Sequence, residues 1–193
     1  MKMIFLLCVL ALTFVSCENK AKPVVKQILQ ANEVSESSTQ EVSESQKIAE
    51  KLAKTTPLTE DELKNAFPKR IKDLEIDKEP IVLGQQVMGM FGDHKISLSV
   101  TDAAGTSNQL ASHFIDNYSF HNEEDNESFK WLKKERDGIK TYASYYTSNG
   151  QSEITMLLSN RFYVIISNND NRTKMTPDEL WVAIDHNVLK NFK

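Results

Sequence analysis

Beyond residue 17 the chain has no cysteine, so whatever folds there must stand on an apolar core without a disulfide. Positive charge is also in short supply: 23 Lys and Arg face 27 Asp and Glu, a formal net charge of −4. Nucleic acid, whose phosphates demand a basic surface, is excluded as a partner on that count. An anionic bilayer gains no electrostatic hold either. The four histidines, His94, His113, His121 and His186, include no pair at i, i+3 or i, i+4, so no helix offers paired imidazoles and neither a metal nor another cofactor is expected. The six glycines form no G-x-G-x-x-G or G-x-x-x-x-G-K-[ST] phosphate loop, and no serine sits in a G-x-S-x-G elbow. The usual sequence signs of catalysis are missing.

What is present begins at the amino end. Lys2 is followed by an apolar run over 4–15 and then by Ser16 and Cys17. One positive charge, about a dozen apolar residues and a small residue make a secretory signal, too short for a hydrocarbon core of about 30 Å. Phe14, Val15, Ser16 and Cys17 resemble the lipobox of bacterial lipoproteins, with Phe14 standing where leucine is usual. That resemblance implies cleavage before Cys17, a diacylglycerol thioether on its sulfur and acylation of the new amine. It implies a protein of the bacterial cell envelope, lipid-anchored to a membrane, the outer membrane by preference, with its domain in the periplasm or at the cell surface. An ordinary signal peptide releasing a soluble secreted protein is the alternative. Each buried methylene contributes about 0.8 kcal/mol, so two or three acyl chains hold where one lets go.

After the signal peptide, 1–16, comes a segment, 17–57, read as lipidated Cys17 and a flexible polar tether. "ANEVSESSTQEVSESQ" has no aromatic residue and little to bury, so it cannot offset the entropy of ordering. Within the tether, Val24, Val25, Ile28 and Leu29, and then Ile48, Ala49, Leu52 and Ala53, have helical spacing and suggest transient turns only. Residues 58–193 have the length of one ordinary domain.

In that domain Leu58, Thr59, Glu62 and Leu63 carry the signature of a capped helix that Pro68 ends near Phe67. A strand is expected over 81–91, interrupted at Gly84 and Gly89, and another over 96–101 with one wet face. Thr106 and Gln109 are expected to cap a helix bearing Leu110, Ala111, Phe114, Ile115 and Tyr118. Four strands follow, over 129–135, 139–147, 153–159 and 162–167, with Asn149-Gly150 reading as a type I′ hairpin. The last strand is apolar on both faces and therefore expected to be central. Thr176, Pro177 and Glu179 start a final helix. The expected fold is α+β: a single domain with a mainly antiparallel sheet of about six strands flanked by helices, in the order α-ββ-α-ββββ-α. This order resembles small α/β sandwiches of the PsbP type. "LTEDELKNAFP", "SLSVTDAAG" and "MTPDELW" also resemble stretches of uncharacterised lipoproteins of Bacteroidota, which implies no activity.

Chemistry is sparse. The acidic stretch over 121–128 lacks the glycine turn and alternating ligands of a calcium loop and reads as a solvated loop. Trp131, Tyr142, Tyr145 and Tyr146, with Phe129, Phe162 and Tyr163, are a candidate binding surface, or else they fill the core beneath the helices. The function these features imply is a non-catalytic envelope lipoprotein that binds a protein or small ligand or supports an assembly. A lipid-tethered enzyme of hydrolase type, with Asp102 or Glu153 as its carboxylates, is the rival. On the tether reading, deleting 20–55 should leave thermal unfolding unchanged. Cys17→Ala should move the protein from the membrane pellet to the soluble fraction; a variant that still sediments with membranes would refute the anchor.

Overall fold

The structure, a computed structural model, describes residues 43–170 and 172–192, so the signal, Cys17 and the spacing at Val24 to Leu29 lie outside the described residues. In chain order the helices are α1 (Glu44–Ala53), α2 (Glu60–Ala66), α3 (Gln109–Phe120) and α4 (Pro177–Ile184). The strands are β1 (Arg70–Ile71), β2 (Leu74–Glu75), β3 (Ile81–Leu83), β4 (Gln86–Phe91), β5 (Ile96–Asp102), β6 (Glu124–Asp125), β7 (Phe129–Arg136), β8 (Ile139–Tyr146), β9 (Gln151–Leu158) and β10 (Phe162–Asn168). The fold is α+β. Strands β3 to β10 form one antiparallel sheet of eight, in the order β3-β4-β5-β10-β9-β8-β7-β6, and β1 and β2 form a separate ribbon.

The expected six strands are corrected to eight in that sheet. The run over 81–91 is two strands, because Gly84 takes φ +59 and Leu83 pairs with Gln86, folding the run back over Gly84 and Gln85. This is the place where a two-residue type II′ loop puts glycine. The other addition is β6, a two-residue edge cut from the acidic stretch. Gly89 does mark a close approach: the Phe67 ring and Ile76 occupy the space where a Cβ would stand. Turns with positive φ at both central residues lie at Asp137-Gly138, between the paired Arg136 and Ile139, and at Ser159-Asn160, where Arg161 N donates to Leu158 O at 2.9 Å. The Asn149-Gly150 connection instead runs from Tyr146 to Gln151, with only Gly150 left-handed and the Asn149 side chain accepting from Gln151 N at 3.0 Å.

Strand β10 is central, as its apolar character requires. It pairs along its length with β5 on one side and β9 on the other, joining the β3-β4-β5 meander to the β6-to-β9 meander. The chain must therefore travel from β5 across five strand spacings to β6, roughly 24 Å, and a twelve-residue α3 supplies about 18 Å of that on its way over the sheet. One face, bearing Phe162, Val164 and Ile166, carries the main core with Leu63 and Phe67 from the α2 region, Leu180 and Ile184 of α4, and Leu189 and Phe192. Each such side chain contributes roughly 1.5–3 kcal/mol on burial. The helix starts are local and act as expected: Thr59 with Glu62 and Thr176 with Glu179 both close capping boxes, and Pro177 opens α4. Thr106 does not cap α3; its hydroxyl donates to Gln85 Oε1 at 2.9 Å.

The tether also ends sooner than expected. Ser43 and Gln46 close a capping box, α1 follows, and Leu52 packs with Ala103 and Ala111 in a cluster of its own, flanked by Ile48, Leu110 and Leu157. Removal of 20–55 should therefore lower stability by about 1.5–3 kcal/mol for Leu52 alone, read as a lower melting temperature.

Behind α1 the chain is clasped by Asp102. This fully buried carboxylate accepts from Leu58 N at 2.8 Å, Ala104 N at 3.1 Å, and the Arg161 Nε and guanidinium NH2, both at 2.7 Å. Arg161 also donates to Thr56 O at 3.1 Å. Burial pushes the Asp102 pKa up, but Arg161 and the two backbone N–H groups outweigh it and hold the carboxyl below its ordinary range. A depressed pKa means that this contribution is complete above the unfolded value of about 3.9 and fades as pH falls through the folded one. Arg161→Met should cost about 3 kcal/mol, the low end for a broken buried pair because the guanidinium keeps 22 % exposure, and should start acid unfolding at a higher pH. An acid-unfolding profile superimposable on that of the parent would refute the clasp.

Candidate functional site

The sequence nominates four aromatics, and the sheet register divides them. Cross-strand partners share a face. Trp131 pairs with Ser144, Lys133 with Tyr142 and Phe129 with Tyr146, so Trp131, Tyr142 and Tyr146 lie on the face opposite the main core. Tyr145 pairs with Lys130 and lies on the core face. The four therefore do not form one groove. Trp131 and Tyr142 belong to a ladder of rings that runs His121, Trp131, Tyr142, Phe114, Tyr118, with centroids 4.3, 5.2, 5.3 and 6.2 Å apart. This ladder seats α3 on the sheet, each pair adding roughly 0.5–1.5 kcal/mol beyond area burial. The Tyr142 and Tyr163 hydroxyls are 3.0 Å apart, and burial, then the Tyr142 hydrogen bond, pushes the Tyr163 pKa upward. Tyr146 alone of the four is largely exposed, leaning on Phe129 at 5.1 Å.

The rival carboxylates are also separated. Asp102 lies at the end of β5 on the core side, paired with Phe162. Glu153 is opposite Ser167, which is opposite Ser97, five residues back along β5 and on the other face. That is about 17 Å along the strand. With all its lone pairs taken, Asp102 holds structure together. Glu153 accepts from the Ser167 hydroxyl at 3.0 Å.

The second face has an open half. Helix α3 packs on β8, β9 and β10, and α1 packs on α3. Over β3, β4 and β5 the same face carries Ile81, Met88, Met90, Ser97 and Ser99 with Ile165 of β10, around a groove of about 500 Å³. Ile81 is 58 % and Met90 44 % exposed, and among the described residues only Leu83 and Val182 are comparably exposed large aliphatic side chains. At the centre Gln86 Nε2 donates to the Ser99 hydroxyl at 2.7 Å. The groove is thus aliphatic and thioether at its sides and hydroxyl-lined along its floor.

At its mouth Asp77 and His94 meet. Asp77 accepts from Asp93 N at 2.8 Å and His94 N at 2.7 Å, and His94 Nδ1 lies 3.6 Å from the same carboxylate. Gly92, Asp93 and His94 take φ +65, +59 and +64 in succession, an uncommon conformation for the last two, fixed by that carboxylate. Within 121–128, Glu123 accepts from Lys133 N at 2.7 Å and Asp125 pairs with Lys130 at 2.6 Å. Among the described residues no cluster of His, Cys, Asp and Glu could hold a metal ion.

At one edge the two acidic residues of β6 cover only Lys130 and Trp131, so the rest of β7 borders on charged side chains, Lys133, Lys134, Glu135 and Arg136; at the other edge the three residues of β3 are entered through Pro80, which has no N–H. In the sequence 81–91 reads as one strand interrupted at Gly84 and Gly89, with no face assigned to Met88 and Met90, so the groove is not visible there. The signal available was their neighbour: a strand carrying Ser97, Ser99 and Thr101 on one face seldom lies beneath a helix. No protein-family model, curated protein or solved structure matches the chain.

Proposed function

We propose that the protein is an envelope lipoprotein, fixed to the membrane through Cys17, whose domain is a non-catalytic binding module. Its site is the open half of the second sheet face, and its ligand is a small molecule with a flexible aliphatic part. The observation that carries this reading is the groove: about 500 Å³ lined by Ile81, Met88, Met90 and Ile165, within the size range of small-molecule sites. Unbranched thioethers adapt to the shape of what they bind, and isolated exposed aliphatics would need no explanation whereas a contiguous set does. The lipobox supports the anchor, and the acidic balance supports a hold by lipid rather than by charge.

Titration with a neutral fluorescent naphthalene dye, followed by displacement with long-chain aliphatic alcohols, tests the site. Ser99→Trp, which places an indole on the groove floor, should weaken dye binding at least tenfold with the melting temperature nearly unchanged. Tyr146→Ala, outside the groove, should leave binding intact. Equal binding by Ser99→Trp and the parent chain would dismiss the groove.

A further inference from the structure

We propose that α1 is a releasable strap, which opens as a unit while the rest of the domain stays folded and stops opening at the Asp102 clasp. Three observations converge on this. The buried apolar side chains of α1 are Ala49 and Leu52, and Leu52 belongs to a small cluster with Ala103 and Ala111, separate from the main core. At its first residue the helix borders space: Glu44 shares a cleft of about 340 Å³ with Phe114 and Tyr118 of α3 and with Leu157 and Asn160. At its far end the chain is held firmly, Thr56 O by Arg161 and Leu58 N by Asp102.

A ten-residue helix is too short to persist in water once undocked, so release and melting of α1 are one event. The chain toward Cys17 leaves from Ser43, the end remote from the clasp, so a pull from that direction peels α1 from its first turn, where the buried side chain is the small, polar Ser45. Opening uncovers Leu110, Ala111 and Leu157. Leu157 faces Tyr163 across the sheet, on the face that bears the groove, so release lengthens the apolar surface beyond Ile165. That last consequence rests on the groove being the ligand site; the opening itself does not.

Native-state hydrogen exchange of the full chain tests the opening without any ligand. Amides of residues 48–53 should exchange at least about a hundredfold faster than those of β10, with rates that rise little in low urea while β10 rates rise steeply. The amide of Leu58, beyond the stop, should match β10. Val164→Ala, a core change away from α1, should accelerate β10 amides at least tenfold and leave α1 amides unchanged. Equal acceleration of both sets, or equal urea dependence in the parent chain, would overturn the proposal by showing that α1 opens only with the whole domain. Dye binding that fails while exchange behaves as expected would remove the groove and leave the strap standing.

Discussion

The register of β10 between β5 and β9 is the constraint from which the rest follows. Seven residues of β10 pair with β5, and the slot they fill is the only place where the second meander can close on the first. Because that meander starts at the far edge, the chain must first cross the sheet, and the crossing segment is α3. A helix that has to reach from the middle of a sheet to one edge covers the half it crosses and leaves the other half bare. The open groove is thus a by-product of strand order, and its apolar side chains survive there at the cost of exposure.

Much of this was legible where the controlling interaction is local. Thr59 and Glu62, or Thr176 and Glu179, are three residues apart, so their capping boxes can be read without knowing the fold. Strand β10 announced its central place through Phe162 to Ile166, an unbroken apolar run that an edge strand seldom carries. The misreadings come from contacts made at a distance. Nothing near Gly84 shows that Gln85 completes a turn, because the Gln85 side chain is stabilised there by Ala104 O and Thr106, about twenty residues on. Helix α1 looked like spacer because its own apolar content is small; what orders it are Ala103 and Ala111, two residues whose burial depends on tertiary placement. The aromatic set failed as a site for the same reason: residue type suggested binding, but a one-residue difference in parity sends Tyr145 to the other face from Tyr146.

The distribution of carboxylates follows a similar logic. Asp102 has the burial and the charged partner often found in active sites, yet each of its acceptor positions is occupied by a backbone N–H or by Arg161, leaving none for a substrate. Asp77 does comparable work at the mouth of the groove, where its two oxygens hold a left-handed corner in place. Ionised side chains here serve as staples between segments far apart in sequence. That is a sound use of charge in a domain that has no thiol to cross-link with.

The short, acidic β6 and the proline-led β3 have one more implication. Molecules confined to a bilayer, as proposed for this one, meet in two dimensions and at high effective concentration, and a sheet with long bare borders would stack there into fibrils. Borders that carry charge, Glu124 and Asp125 on β6 and Lys133, Lys134, Glu135 and Arg136 along β7, allow dense display on a surface without polymerisation.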